Sequence, residues 1–455
     1  MAVRTQQRRS VGGPRLLRAC VQAFEVPEIR SKLFFTFALL AVFRLFATIP
    51  VPNVNTEALK YIFSSSSAAP VLGFLNVFSG GTLKQMSIAA TGVYPYITSS
   101  IILQLLTPMI PQLKALSKEG EQGRNQIMLY THYLTVPIAL FQAYAQLQII
   151  AKTGTPAGPA ISNIGFTGSA LLPTLAILAS MLASTLFLVW LGELITDRGI
   201  GNGISLIITV GILGGLPSVL GQLGVVGVGF ALTRAVPLVI MALVIIVAIV
   251  FFQEAERRIP VQYAKSVFRG GRLYRQSGQS YIPLKVNAAG MIPLLFAYSL
   301  GIFPGLMANF FRSSASGFVR SAATTVQLIV DPRGAGYQVF VFVLVVGFTF
   351  FYTMVVFAQQ NLAENLQKQG GFIPGLRPGR PTDEYVTRVV TRITWAGAIS
   401  LGVISAIPFI ATRFLGTVAL TINAMGFLIA VGTIVDTMKQ LEAHLLTRNY
   451  EGFIT

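Results

Sequence analysis

Long, uninterrupted apolar runs dominate the chain. Residues 339–357, VFVFVLVVGFTFFYTMVVF, carry no charge at all. A helix crosses a bilayer with about 20 mostly apolar residues. Ten segments qualify: 33–50, 88–106, 127–150, 171–191, 204–220, 236–252, 288–308, 338–358, 393–411 and 415–435. Strands of a membrane barrel alternate over about ten residues. These runs are continuous and longer, so helices are predicted, with every backbone group satisfied internally. The least regular are the first, which contains Arg44, and the fifth, which contains Gly211, Gly214, Gly215 and Pro217.

Composition agrees. Of 455 residues 53% are hydrophobic and only 11% charged, against about 25% charged in a soluble protein. A soluble core of this size has no room for so much apolar surface, and intrinsic disorder is excluded by the same figures. One cysteine, Cys20, excludes a disulfide framework and a cysteine metal site. Two histidines, His132 and His444, offer little for zinc or haem. The fold class is an all-α membrane protein with ten transmembrane helices.

The net charge of +18 has to sit in the loops, because spans hold charge at high cost. Ten spans place both termini on one side. That side carries 25 of the 34 Lys and Arg, the other side 8, and Arg44 is the last. The positive-inside rule therefore puts both termini in the cytoplasm. The expected outcome for Arg44 is to snorkel outward, with pairing inside the bundle as the alternative. Segment 1–32 has no cleavage-site pattern and reads as a basic cytoplasmic arm, with Arg8, Arg9, Arg15 and Arg18 facing anionic headgroups. The tail, 436–455, is expected in the cytoplasm as well.

Three places break the regular pattern. Residues 71–87, VLGFLNVFSGGTLKQMS, are too short and polar to cross. A re-entrant piece lining protein or water and an outer surface loop are both open readings. The second span carries Pro95 beside Thr98, Ser99, Ser100 and Gln104, and the seventh opens with Asn287, Gly290 and Pro293. Prolines inside these runs predict kinks. The fifth span opens RGIGNGIS, which lacks the GK[ST] of a phosphate loop. Glu193, Asp197, Glu254 and Asp436 fall at cytoplasmic ends, and His132 is expected to make an ordinary polar contact. No acid–base ladder or converging catalytic pair appears in the spans. A proton-coupled transporter, a membrane protease and a transferase are therefore weak readings.

Two inner loops are long, 253–287 and 359–392. The first mixes seven basic residues with aromatics and predicts a hairpin around Gly270-Gly271. The second carries LRPGRP. Basic residues with aromatics fit docking onto RNA or an acidic partner.

The motifs FRLFATIPVP (43–52), NVFSGGTLKQMSI (76–88), GVYPYITSSIILQLL (92–106), DRGIGNGISLII (197–208), RRIPVQYAK (257–265), PLKVNAAGMIP (283–293), FIPGLRPGRPT (372–382) and DTMKQLEAHLLTRNYEGF (436–453) occur in this order. Together they resemble the SecY family, channel subunits of the bacterial Sec protein translocase, over nearly the whole chain.

The resemblance implies two inverted, pseudo-symmetric halves of five spans, 33–220 and 230–435, with a pore between them. It implies a pore ring of Val93, Ile97, Ile204, Ile208, Leu295 and Ile429, a flexible apolar gasket that seals by dewetting. Residues 423–428 read NAMGFL where a GGTSLL-like pattern is commoner, which makes Ile429 the least secure of the six. A plug near 72–87 includes Asn76, Phe78, Ser79, Gly80 and Gly81. A lateral gate of the second and seventh spans includes Thr98, Ser99, Gln104, Asn287 and Pro293, with hydrogen bonds of Asn287 favouring the closed state. Docking sites for the SecA motor and the ribosome fall on Arg257, Arg258, Lys265, Arg272 and Arg275 in the first long loop and on Arg377 and Arg380 in the second. Further implied partners are SecE-like and SecG-like membrane subunits, signal sequences, nascent polypeptides and the lipid bilayer. No cofactor and no enzymatic step is expected, since SecA or a translating ribosome supplies the energy. The plasma membrane is the expected location; a thylakoid membrane fits less well, since no transit peptide is visible. Competing classes are an ion-coupled transporter, which needs charges near the midplane, and a non-transporting scaffold or insertase.

Overall fold

Ten helices occupy the ten apolar segments. The structure, a computed structural model, describes residues 24–52, 54–65, 72, 75–76, 79–152, 160–161, 164–165, 168–224, 240, 243–269, 272–288, 290, 292–311, 316–330, 334–360, 362–415 and 418–451. In chain order the helices are α1 (Pro27–Thr48), α2 (Thr56–Ser65), α3 (Tyr94–Leu106), α4 (Pro111–Lys118), α5 (Glu121–Lys152), α6 (Leu171–Arg198), α7 (Gly203–Gly224), α8 (Leu243–Glu254), α9 (Ile292–Phe311), α10 (Gly317–Ile329), α11 (Ala335–Gln360), α12 (Leu362–Lys368), α13 (Arg380–Leu415) and α14 (Val418–Glu451). The spans are α1, α3, α5 to α9, α11, α13 and α14. Five of these, α1, α5, α6, α11 and α13, are long and apolar enough to cross unaided.

The surface is apolar where a soluble protein is polar. Phe34, Phe37 and Leu45 on α1, Leu243 and Val247 on α8, and Val339 and Val343 on α11 are all exposed. The interior meanwhile holds Ser99, Thr135 and Thr349. Their hydroxyls bond the carbonyls four residues back, at 2.8, 2.7 and 2.7 Å. Polar side chains inside and Phe and Leu outside are what a lipid solvent selects.

Several boundaries differ from the pattern's expectation, and each has a physical reason. The second span is helical only from Tyr94, so α3 is about 20 Å long. Residues 87–93 precede it as turns buried in protein, where irregular backbone is tolerated at membrane depth. Pro95 is therefore the second residue of α3, and Pro293 the second residue of α9. Neither kinks a helix; each starts one, where the missing N–H costs nothing. Gly92 and Gly290, three residues before each proline, adopt φ of 57° and 65°, a left-handed conformation that favours glycine. The same Gly-x-x-Pro start thus opens the second span of one half and the second span of the other.

Three helices outrun their apolar segments. α1 begins inside the expected arm, α13 begins at Arg380 instead of 393, and α14 runs on to Glu451 through the expected tail. The base of α1 meets the end of α14 and the turn between α6 and α7 in a small core of Ile29, Ile200, Leu441 and Leu445. Cys20, the four arginines 8, 9, 15 and 18, and most of the joint between the halves (225–239) lie outside the described residues.

The two long inner loops form one structure. β1 (Glu256–Arg269) and β2 (Arg272–Lys285) pair antiparallel along their full length, and Gly270 and Gly271 between them lie outside the described residues. β3 (Gly371–Phe372) from the second loop adds to β1 at Gln262 and Tyr263. Ile259, Val261 and Leu284 pack with Leu366, Ile373, Val386, Val389 and Val390 in a core of their own.

Candidate functional site

The segment before α3 folds back into the bundle. Leu72, Leu75, Ser79, Leu83 and Met86 are all buried, which removes the surface-loop reading. Short bonds hold it: Lys84 N donates to Asn76 Oδ1 at 2.8 Å, Leu83 N to Ser79 Oγ at 3.2 Å, and Thr82 Oγ1 to Ala89 O at 2.7 Å. Gly80 and Gly81 take φ of 72° and 83°. Gly80 lies against Gly211 of α7, and a Cβ built on it would stand 3.1 Å from Gly211 Cα and 3.2 Å from Phe43 Cζ of α1. Phe78 lies outside the described residues.

Around this piece the six expected ring residues share one apolar core. Val93, Ile97, Ile208, Leu295 and Ile429 are buried in it and Ile204 packs at its edge. Two packed helix pairs present them, α3 against α9 and α7 against α14. The core also contains many residues outside the ring, so burial alone assigns no role.

Arg44 is half-exposed and contacts a neighbouring helix. Its guanidinium lies over Gly214 of α7, where any Cβ would overlap it. The run of glycines that weakened the fifth span as a helix is thus where α7 receives its neighbours, the re-entrant segment at Gly211 and the arginine at Gly214.

Between α3 and α9 the expected polar residues are arranged differently from the sequence reading. Thr98 Oγ1 donates to Tyr94 O at 3.0 Å and accepts from Gln142 Nε2 of α5 at 3.4 Å. Ser99 is bonded to its own helix, and Gln104 Nε2 donates to Ser100 Oγ at 3.1 Å. None of the three bonds α9. Asn287, buried at the base of α9, makes no hydrogen bond through either side-chain atom among the described residues. The polar contact across this seam comes from Tyr94, which the sequence reading passed over. Its hydroxyl donates to Ser299 O at 3.0 Å. A tyrosine inside GVYPY, one residue after a ring position, was the available signal.

His132 behaves as expected: its Nε2 lies 2.6 Å from Glu193 Oε1 of α6, beside the Tyr96 ring, with centroids 5.7 Å apart. At the base of α9, Asp436 of α14 accepts from Gln253 Nε2 at 3.4 Å. Burial pushes its carboxyl above the usual range, with Lys439 and Lys285 opposing.

On the hairpin platform formed by the two long loops Arg257, Arg258, Arg377 and Arg380 are exposed. Arg258 is held by Glu256 at 2.7 Å and covers the Tyr281 ring at 4.8 Å, and Arg380 pairs with Glu384 at 3.1 Å. The backbone of Arg377 is fixed, its carbonyl accepting from Thr382 Oγ1 at 2.8 Å, while its side chain stands in solvent. Lys265, Arg272 and Arg275 lie in the paired strands, opposite Gln276, Arg269 and Ser266, and their side chains lie outside the described residues.

Ten spans around an apolar core, with a buried re-entrant segment and a weakly bonded seam between two half-related helices, define a polytopic membrane channel. The comparisons agree. The SecY family model matches residues 87–438. The protein translocase subunit SecY of Streptomyces scabiei is 42% identical over 449 residues, covering 96% of this chain and all of the relative. A solved protein-conducting channel matches with a TM-score of 0.60 at 16% identity, covering 90% of this chain and 91% of that one. Sec61 in a canine ribosome–channel complex from the endoplasmic reticulum matches at 0.55 and 15% identity, with 90% and 91% covered. The chain belongs to the SecY family. It is a membrane-embedded channel subunit of a protein translocase and not an enzyme.

Proposed function

We propose that this chain holds a closed pore whose ring is Val93, Ile97, Ile204, Ile208, Leu295 and Ile429. The re-entrant segment at 72–87 acts as its plug, and the α3–α9 seam is a lateral gate. The observation that carries this reading is the seating of the Gly80 turn on Gly211, among Phe43, Leu83 and Met86 and next to the apolar core. Apolar side chains grip no particular passing sequence, and a narrow apolar waist excludes ions by dewetting. Apolar segments leave sideways between α3 and α9 into lipid, and unfolded secretory chains pass through.

The cytoplasmic hairpin and the turn at Arg377 are the docking surfaces for a SecA-type motor and for the ribosome. Exposed arginines on a rigid, separately packed platform suit both an acidic protein face and RNA. SecE-like and SecG-like subunits complete the assembly in the plasma membrane, with both termini cytoplasmic as the 25 to 8 charge bias requires.

The test is conductance of the purified complex in a planar bilayer before and after a signal peptide is added. A silent channel that opens with peptide supports the reading. Silence in both states, with the partner subunits present, overturns it in favour of a transporter or a scaffold. Cysteines placed at 97 and 208 should crosslink to a stalled secretory chain.

A further inference from the structure

We infer that the Tyr94 hydroxyl is a latch of the α3–α9 seam, holding it closed by one hydrogen bond to the Ser299 carbonyl. The inference rests on that seam being the gate.

The geometry singles out this residue. Tyr94 is the first residue of α3, directly after the left-handed turn at Gly92. It is 2% exposed, so its ring is packed as any core aromatic is. Its hydroxyl reaches 3.0 Å to a main-chain oxygen of the opposite helix, 205 residues away in sequence. Thr98, Ser99 and Gln104 all spend their bonds on α3 itself or on α5.

The partner is a carbonyl within α9, in a helix that already uses its carbonyls for its own ladder. Breaking the bond therefore leaves α9 intact, while the water of an opened pore can replace the carbonyl as the phenol's acceptor. A bond whose two ends are both satisfied in either state contributes a modest net amount to the closed one, about fivefold in the equilibrium. That is weak enough for an apolar signal segment to overcome by burying its own surface between the helices.

On the α9 side the bond lies next to a second buried polar group. Tyr298, the neighbouring residue, directs its hydroxyl to Ser405 O of α13 at 3.4 Å, and Gln338 Nε2 of α11 reaches the same oxygen at 3.1 Å. These contacts stay inside one half of the molecule. Tyr298 is thus an internal control: a phenol as buried as Tyr94, one residue from Ser299, whose hydroxyl bonds Ser405 O on the α13 side.

The experiment compares the wild-type complex with Tyr94→Phe and Tyr298→Phe. Each variant keeps the ring and removes one hydroxyl. Resting open probability and half-opening concentration are read in a planar bilayer with a synthetic signal peptide, two lysines followed by about ten leucines. Tyr94→Phe is expected to raise resting openings, or lower the half-opening concentration, about fivefold at unchanged unit conductance. Tyr298→Phe is expected to leave both unchanged. Equal gating in wild type and Tyr94→Phe overturns the latch while leaving the gate reading standing. An equal effect of both variants also overturns it, because loss of any buried hydroxyl would then suffice. A wild-type complex that the peptide never opens overturns the gate reading and the latch together.

Discussion

Gly80 and Gly211 meet backbone to backbone, so that a Cβ on Gly211 would overlap the Gly80 main chain. A turn with φ of 72° at Gly80 can approach α7 this closely only because neither partner carries a side chain. The contact fixes where the re-entrant segment sits against α7.

Gly211→Ala should therefore dislodge the segment. The methyl group has no free volume to enter, and overpacking of this kind costs about 1–3 kcal/mol. The expected result is an increased resting ion conductance without added peptide, with the protein still extracted as an intact complex. Conductance at the wild-type level would show that the segment does not seal the pore. Removing residues 74–82 should raise the leak in the same direction.

How much of this was legible beforehand depended on the kind of signal. Continuous apolar runs give away spans because lipid requires them, and the count of ten needed nothing more. Starts and ends were less readable. The pieces of α13 before residue 393 and of α14 after residue 435 each pack one apolar face into a small core outside the bundle, so hydropathy misses them. Pro95 and Pro293 looked like kinks because the runs around them are apolar, and Gly92 and Gly290 three residues earlier were the overlooked marks of a helix start. Arg44 was expected to face outward because its binding place is a bare Gly214 on another helix, which local pattern cannot show. Tyr94 was missed for the same reason: its partner is 205 residues away.

The His132–Glu193 pair joins α5 to α6 at 2.6 Å, and the two side chains are 30% and 27% exposed. With that much solvent contact the coupling is modest, about 0.5–1 kcal/mol. A double-mutant cycle on thermal unfolding with His132→Gln and Glu193→Gln should return an interaction energy of this size. A value of zero would mean that the two groups merely lie near each other.

Asp436 supplies a pH dependence. Burial at the base of α9 outweighs Lys439 and Lys285, so its carboxyl is raised in the folded protein. A raised group contributes stability that is fully present below its ordinary pKa and is lost as pH rises through the folded value. Above the folded value the carboxylate is charged at the cost of burial. Asp436→Asn should then melt at a higher temperature than wild type above that value, and the difference should shrink as pH falls through it. A constant difference at all pH values would show that the charge of Asp436 is not what the substitution changes.

Arg377 tests the docking surface apart from the pore. Its carbonyl is tied to Thr382, but its guanidinium is exposed and carries no fold contact among the described residues. Surface substitutions of this kind change stability by about 0.5 kcal/mol or less. Arg377→Glu reverses a charge at the tip of a platform whose core lies elsewhere, in Ile259, Val261, Leu366 and Ile373. It should leave thermal unfolding and peptide-triggered conductance unchanged while sharply reducing motor-driven translocation into vesicles. Because the conductance assay bypasses docking, the two readouts separate a failed pore from a failed partner. Normal translocation by this variant would remove the turn from the docking surface and leave the role to the β1–β2 hairpin. Loss of conductance as well would show that the turn shapes the channel itself.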